Sequence, residues 1–343
     1  MIRAAIIGIG TGRDIGPRSI GYQHAMTYRD FPDCRIVGAA DLSKENRGNF
    51  SKTFNVSDVT DDYKEMLSRL KPDVVSVCVW VGARREIVET CAQAGVRAIW
   101  CEKPFCLSMD DGRAMLETCE KHNVKIAINH QRRFLHAFQE AKRWLKNGSI
   151  GVPMEFLAAI QDWDLMEWGS HWMDAFRFFA DDQPAEWVLG QVRCTGQTTR
   201  FGHPSEEHSV AYLGFKDGTR GLLEGGLALN GGYAIRLVGT EGLIDLYHDG
   251  KVRLLNEKGW SDIPTRSTLH GSEFPEEDPW RKALASLVGW MEGGPESPIS
   301  GRNGLLSTEL YLAAYESAKR RDRVDLPLKA QTAFPLNDFV EDP

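Results

Sequence analysis

The chain of 343 residues carries 48 acidic and 41 basic side chains, a formal net charge of −7, with 42% hydrophobic and 26% charged residues. These are the proportions of an ordinary globular protein, and the absence of a long basic run argues against phosphate-backbone binding as the main task, so no nucleic-acid partner is expected. At this length a single core usually stops growing, which predicts two domains. No stretch approaches the eighteen or so apolar residues of a membrane span, and no signal peptide or anchor is read, so no membrane partner is expected. Seven cysteines without a C-x-x-C pair fit a reducing compartment, and the expected localisation is cytoplasmic.

Residues 3–9 form a short β-branched apolar run ending in Gly8-Ile9-Gly10, as the buried first strand of a parallel sheet should. A glycine-rich turn follows, with Gly8, Gly10, Gly12, Gly16 and Gly21 spread ahead of Tyr22-Gln23-His24-Ala25-Met26. A plain G-x-G-x-x-G would place its third glycine at position 13, where Arg13 stands; if Gly21 instead lets the helix pack on the strand, the turn carries eight extra residues. The second strand, residues 35–40, ends in Asp41. An acidic side chain there can accept hydrogen bonds from a ribose diol and repel a 2′-phosphate, which favours NAD over NADP. Equally, Asp41 can cap the helix that begins near Ser43. Arg13 and Arg18 can each reach a phosphate, which weakens the preference.

The alternation continues. Residues 61–70 read as a helix, 72–81 as a nearly continuous buried strand, and 85–94 as a helix with Ile87, Val88, Cys91 and Ala94 on one side, closed by Gly95. Strand 96–100 leads into Cys101-Glu102-Lys103-Pro104-Phe105, Ser108 or Asp110 can cap a helix running to about His122, and residues 124–128 supply another strand. Strict alternation of strand and helix means a parallel, doubly wound sheet, whose ligands lie outside the carboxyl ends of the strands. Lys103 stands at such an end. Taken alone, Glu102-Lys103-Pro104 can equally be a solvated turn in which the proline stops the strand, and the Lys103-Pro104 bond is a candidate for the cis form.

After Asn129-His130-Gln131-Arg132-Arg133-Phe134 the pattern changes. An amphipathic helix over 138–146 stops at Asn147-Gly148, and β-rich segments follow at 154–160, 187–195, 208–215, 220–228, 234–238, 243–247 and 252–255. Lys216-Asp217-Gly218, Asn230-Gly231-Gly232 and Asp249-Gly250-Lys251 separate them as hairpin signals. Between the first two segments a loop over 164–169 enters a heavily aromatic helix, with Glu167, His171 and Asp174 clustered at its start. A zinc site is one reading of that cluster, but it lacks a second sensibly spaced His or Cys, so no metal is expected. The expected fold class is α/β: a doubly wound parallel sheet over residues 1–128, then an α+β domain with a large, mostly antiparallel open sheet over 129–343.

The chain resembles the glucose-fructose oxidoreductase, inositol dehydrogenase and MocA family, written Gfo/Idh/MocA. The resemblance rests on Gly8-Ile9-Gly10, Gly21-Tyr22-Gln23-His24-Ala25, Asp41, Glu102-Lys103-Pro104, Arg132-Arg133-Phe134 and Gly169-Ser170-His171-Trp172-Met173-Asp174, with Tyr315-Glu316-Ser317-Ala318 and Val324-Asp325-Leu326-Pro327 near the end, and it covers nearly the whole chain. It implies an N-terminal Rossmann domain that binds a dinucleotide through Gly8, Gly10, Gly21, His24, Asp41, Glu102 and Lys103. It makes Lys103 the acid/base beside the nicotinamide and His171 its helper. It also implies a homodimer or homotetramer formed on the open sheet. Four residues before His171 this sequence has Glu167 where the family pattern has Asp, so Glu167 is assigned a supporting catalytic role. The substrate pocket is expected between the domains, lined by Lys103, Arg133, Glu167, His171 and Asp174, with Trp163, Asp162 or His208 beside them. Aromatic faces with scattered charges suit a polyhydroxylated ring.

Oxidising a secondary alcohol needs a base near neutral pKa, whereas a free lysine lies near about 10.4; burial and a positive nicotinamide both push it down. The leading expectation is therefore an NAD-dependent dehydrogenase acting on a sugar, sugar derivative or cyclitol. Two alternatives stand beside it: a glycoside-cleaving enzyme in which NAD is reduced and restored in each cycle, and a non-catalytic cofactor-binding sensor.

Overall fold

The β-branched runs of the first half become, in the computed structural model, the parallel strands of one sheet. The structure describes residues 1–10, 19–161, 164–200, 202–227, 233–247, 250–263, 266, 275–330 and 332–339. Gly12, Arg13, Gly16 and Arg18 of the turn, and the pocket candidates Asp162 and Trp163, lie outside the described residues.

In chain order the first unit contains β1 (Ile2–Ile7), α1 (Ile20–Asp30), β2 (Cys34–Ala40), α2 (Lys44–Phe54), β3 (Val59–Thr60), α3 (Tyr63–Leu70), β4 (Val74–Val77), α4 (Arg84–Gln93), β5 (Ala98–Cys101), α5 (Met109–Lys121) and β6 (Lys125–Ile128). The sheet order is β3-β2-β1-β4-β5-β6 and every pair is parallel. Strands β4 and β5 are buried at every position, which is why their sequences are nearly continuous apolar runs without alternation, broken only by Ser76 in β4. Strand order reverses between β1 and β4, the crevice where open α/β sheets take ligands. The carboxyl ends that flank it carry Gly8, Asp41, Cys78, Glu102 and Asn129.

The second unit opens with α6 (His136–Lys146), β7 (Pro153–Gln161), α7 (Gly169–Phe179), β8 (Ala185–Arg193), β9 (Thr199–Arg200), β10 (His203–Pro204), β11 (His208–Phe215), β12 (Arg220–Leu227), β13 (Ile235–Gly239), β14 (Leu243–Leu246), β15 (Val252–Asn256) and β16 (Gly259–Ile263); α8 (Pro279–Met291), α9 (Gly301–Arg320) and β17 (Val324–Asp325) complete the chain's main elements. Nine strands form its large sheet in the order β16-β15-β14-β13-β7-β12-β11-β8-β17. Among the described residues all its pairs are antiparallel except β7 with β12. Helix α7 lays Phe176 and Phe179 on Phe156 of β7, and Phe156 in turn meets Phe215 of β11, so the aromatic run in the sequence is this unit's core.

The two units are not cut by a single division at residue 128/129: Asn129 falls in the first unit and Leu107–Asp110 in the second. Residues Trp280–Arg302 belong to the first unit, and the chain returns to the second at Asn303. The reason is local: buried Trp280 meets the rings of His24 and Trp100 edge-on, and Ile128 donates its N–H to the carbonyl of Ile299 at 2.8 Å. All seven cysteines are free thiols. Among the described residues no helix is long and apolar enough to cross a membrane, and no group of three His, Cys, Asp or Glu is placed to hold a metal ion.

Candidate active site

In the first unit the site grows from the end of β1. Gly8 turns with φ +87°, and a side chain there would stand 2.9 Å from the carbonyl of Cys78 at the end of β4. At Gly21 a Cβ would lie 2.5 Å from the carbonyl oxygen of Ile9, so α1 packs on the turn only because glycine occupies that position. Ile9 and Gly10 donate their N–H groups to Oδ2 of Asp41 at 2.8 and 3.1 Å, while Oδ1 accepts from Ser43 N at 2.8 Å and Asn46 Nδ2 at 3.1 Å. The cap of α2 is Ser43, which accepts from Asn46 N, so Asp41 is the tie between turn and helix rather than the cap itself.

The end of β5 is fixed more tightly still. Glu102 is buried, and its carboxylate accepts from His24 Nε2 at 2.9 Å, from Asn129 Nδ2 and from Lys103 N at 3.2 Å. Burial pushes Glu102 up, but the hydrogen bond and charge of His24, then Lys103 and Asn129, hold it below the usual carboxylate range. His24 is fully buried, and its Nδ1 meets Ser76, which also bonds Tyr28. On the other side Arg84, 4% exposed, donates to the carbonyls of Val79 at 3.0 Å and Lys103 at 3.1 Å. The Lys103–Pro104 bond is cis. Lys103 is thus held by its own N–H and carbonyl, with its half-buried side chain beyond a rigid backbone.

In the second unit two buried carboxylates pin the loop that enters α7. Asp164 accepts from Glu167 N at 2.6 Å and Ser205 Oγ at 2.6 Å, and Arg200 lies 3.3 Å away. Glu206 accepts from Leu165 N at 2.7 Å and from the Tyr315 hydroxyl at 3.0 Å, which itself accepts from Met166 N at 3.1 Å. Three consecutive N–H groups, those of Leu165, Met166 and Glu167, are therefore fixed by side chains. His171 follows in the first turn of α7, buried, with its ring 6.2 Å from Trp168 and 6.1 Å from His130.

Against this geometry stand the comparisons with known proteins. Residues 2–130 match the oxidoreductase family's NAD-binding Rossmann fold, and residues 124–326 match its C-terminal alpha/beta domain. The chain belongs to the Gfo/Idh/MocA family. Among its relatives, the D-apiose dehydrogenase of Paraburkholderia graminis is 27% identical, with 92% of this chain and 89% of that one aligned. The myo-inositol 2-dehydrogenase of Thermotoga maritima is 24% identical over 95% and 98%. In fold, an oxidoreductase from Agrobacterium radiobacter, solved with NAD+, L-tartaric acid and magnesium, superposes with a TM-score of 0.77 at 21% identity, covering 94% of this chain and 98% of that one.

The residues of this Gfo/Idh/MocA chain fit a dinucleotide: Gly8 and Gly21 let the backbone pass closely at the end of β1, and the Asp41 carboxylate, which ties down the N–H groups of Ile9 and Gly10, stands at the end of β2. Of the residues assigned from sequence, His24 has both its ring nitrogens bonded within the chain, to Ser76 and to Glu102 beside Lys103. Arg133 and Asp174, assigned to the substrate pocket from sequence, are bonded to each other. The Arg133 guanidinium donates to both oxygens of Asp174 and of Asp182 at 2.7–2.8 Å, and Ser307 adds a further bond to Asp174, so the pair is a buried structural joint. His208 lies half-exposed on β11, 3.4 Å from Glu224.

Sequence reading missed Arg84, Asn129, Asp164 and Glu206, because nothing in their local spacing announces partners so far along the chain. Glu206 yields a prediction. Burial, then the neighbouring Asp164, push it up to about 8, which favours the protonated carboxyl in the folded protein. Because the folded value is raised, its contribution to stability is full below the unfolded value near about 4.3 and is lost as pH rises towards 8. Melting temperature followed from pH 5 to 9 should fall with pH in the wild type, and Glu206→Gln, which keeps the shape without the titration, should flatten that slope. An unchanged slope in the variant would show that Glu206 does not titrate there.

Proposed function

We propose that this chain is an NAD-dependent dehydrogenase that oxidises a secondary hydroxyl of a sugar, sugar derivative or cyclitol, with Lys103 as acid/base, His171 assisting it and Glu167 in support. The observation that carries the reading is the fixing of Lys103 at the end of β5 in an NAD-binding Rossmann domain: its N–H bonds the buried Glu102 and its carbonyl bonds Arg84. A lysine whose backbone is held at both ends gives the amine a defined origin, which general acid–base catalysis needs. A nicotinamide held there would supply the acceptor for the hydride of the carbinol carbon. The Lys103 amine takes the hydroxyl proton and then releases it to solvent. The pinned loop 164–168 sets the entry of α7 and so the height of His171. Asp41 favours NAD, since a 2′-phosphate would meet its carboxylate. The named activities of the relatives, on apiose, inositols and a D-glucoside, support the substrate class.

The test is a panel of neutral sugars, cyclitols, sugar acids and glycosides assayed with NAD and NADP, following nicotinamide absorbance and product together. Accumulating NADH with a keto product supports the proposal. Sugar released from a glycoside without net NADH would replace it with the redox-neutral reading.

A further inference from the structure

Arg132 and Arg133 are neighbours in one turn of 3-10 helix, Gln131–Phe134, and the fold treats them in opposite ways. Arg133 is saturated by carboxylates. Arg132 is 4% exposed, yet its guanidinium meets no carboxylate and makes no side-chain hydrogen bond among the described residues, and its Nε is buried without an acceptor. What surrounds it is aromatic: its guanidinium carbon lies 4.4 Å from the ring centre of Trp172 and 5.4 Å from that of Trp168. Indole faces attract a cation but supply neither a negative charge nor acceptors for five N–H groups. Burial alone pushes Arg132 down, to about 9, which leaves it charged at neutral pH. Proteins keep a buried charge only where something pairs with it.

The two tryptophans flank His171 in sequence, and the ring of Trp168 is 6.2 Å from that of His171. The missing counter-charge therefore belongs on the ligand handled at this helix start. We propose that Arg132 binds the carboxylate of the substrate, so that the preferred substrates are sugar acids, aldonic or uronic, rather than neutral sugars or cyclitols. This rests on the reading of His171 as an active-site residue. A planar guanidinium pairs with a carboxylate through two parallel hydrogen bonds, and one cation matches one negative charge better than a phosphate dianion. Trp168 and Trp172 would keep water from that pair and leave its geometry fixed.

The experiment has two arms on the NAD-loaded protein. The first compares D-gluconate and D-glucuronate with D-glucose, myo-inositol and glucose 6-phosphate in the wild type, by calorimetric binding and by kcat/KM. A preference for an acid over its neutral counterpart of roughly a hundred-fold or more is expected, as for a site built around one polar partner. Equal treatment of acid and neutral probes, or preference for the phosphate, overturns the proposal. The second arm uses Arg132→Lys and Arg132→Leu, with folding checked by thermal unfolding. Leucine should raise KM for the acid to near that of the neutral sugar, while lysine should restore part of the gap; a ratio unchanged in both variants overturns it. If no probe yields NADH but acids still bind in an Arg132-dependent way, the dehydrogenase reading fails and the carboxylate site stands.

Discussion

Lys103→Met lowers kcat by about a hundred- to ten-thousand-fold, the usual share of a positioned acid/base, and leaves NAD binding measurable. Methionine keeps the length and apolar stem of lysine but cannot take a proton. The turn itself survives, because its anchors are backbone groups: the N–H of residue 103 on Glu102 and its carbonyl on Arg84 persist whatever side chain stands there. NAD titrated by tryptophan fluorescence should therefore bind within a few-fold of wild type while hydride transfer, followed by nicotinamide absorbance, collapses. Near-normal turnover would remove Lys103 from the mechanism, and loss of NAD binding together with turnover would mean the lysine holds the cofactor rather than the proton. Glu102 offers the control: its carboxylate faces back to His24 and Asn129, so Glu102→Gln should disturb the turn and shift the pH dependence without abolishing chemistry.

Much of this was legible in the sequence, for physical reasons that also mark where legibility stopped. The nearly continuous apolar runs at β4 and β5 announced a sheet covered on both faces, and the alternation of strand with helix fixed its parallel sense. The chemistry of Glu102-Lys103-Pro104 could be read because it lies at a strand end, which is a local property. The partners of Glu102 could not, since His24 comes from α1 and Asn129 from the end of β6. Adjacent arginines show the limit most clearly. Arg132 and Arg133 are chemically identical in the sequence, and only the arrival of Asp174 and Asp182, 41 and 49 residues later, separates a structural cation from an uncompensated one. The return of Trp280 to the first unit is of the same kind: its contacts with the rings of His24 and Trp100 are invisible to periodicity.

The Arg133–Asp174 joint sets the second large expectation, one of stability. Arg133→Met should destabilise the protein by about 3–5 kcal/mol, the cost of leaving a buried charge without its partner. The magnitude follows from burial: both side chains are almost wholly enclosed, and among the described residues Asp174 would keep Ser307 and His130, the latter at 3.2 Å. Burial pushes Asp174 up, but the charge of Arg133, then His130 and their hydrogen bonds, hold it well below the usual carboxylate range. With the folded value depressed, the stabilisation is present above the unfolded value near about 3.9 and is lost as pH falls through the folded one, so urea unfolding should show stability dropping on acidification. Arg133→Met should weaken that acid dependence as well as the stability itself. Removing both charges, in Arg133→Met with Asp174→Leu, should recover part of the loss, because the penalty belongs to the unpaired charge rather than to the absent bond. A single-variant loss under about 1 kcal/mol would place the pair with exposed salt bridges. The turn that bears Arg132 would then owe its position to something other than its neighbour's grip on α7.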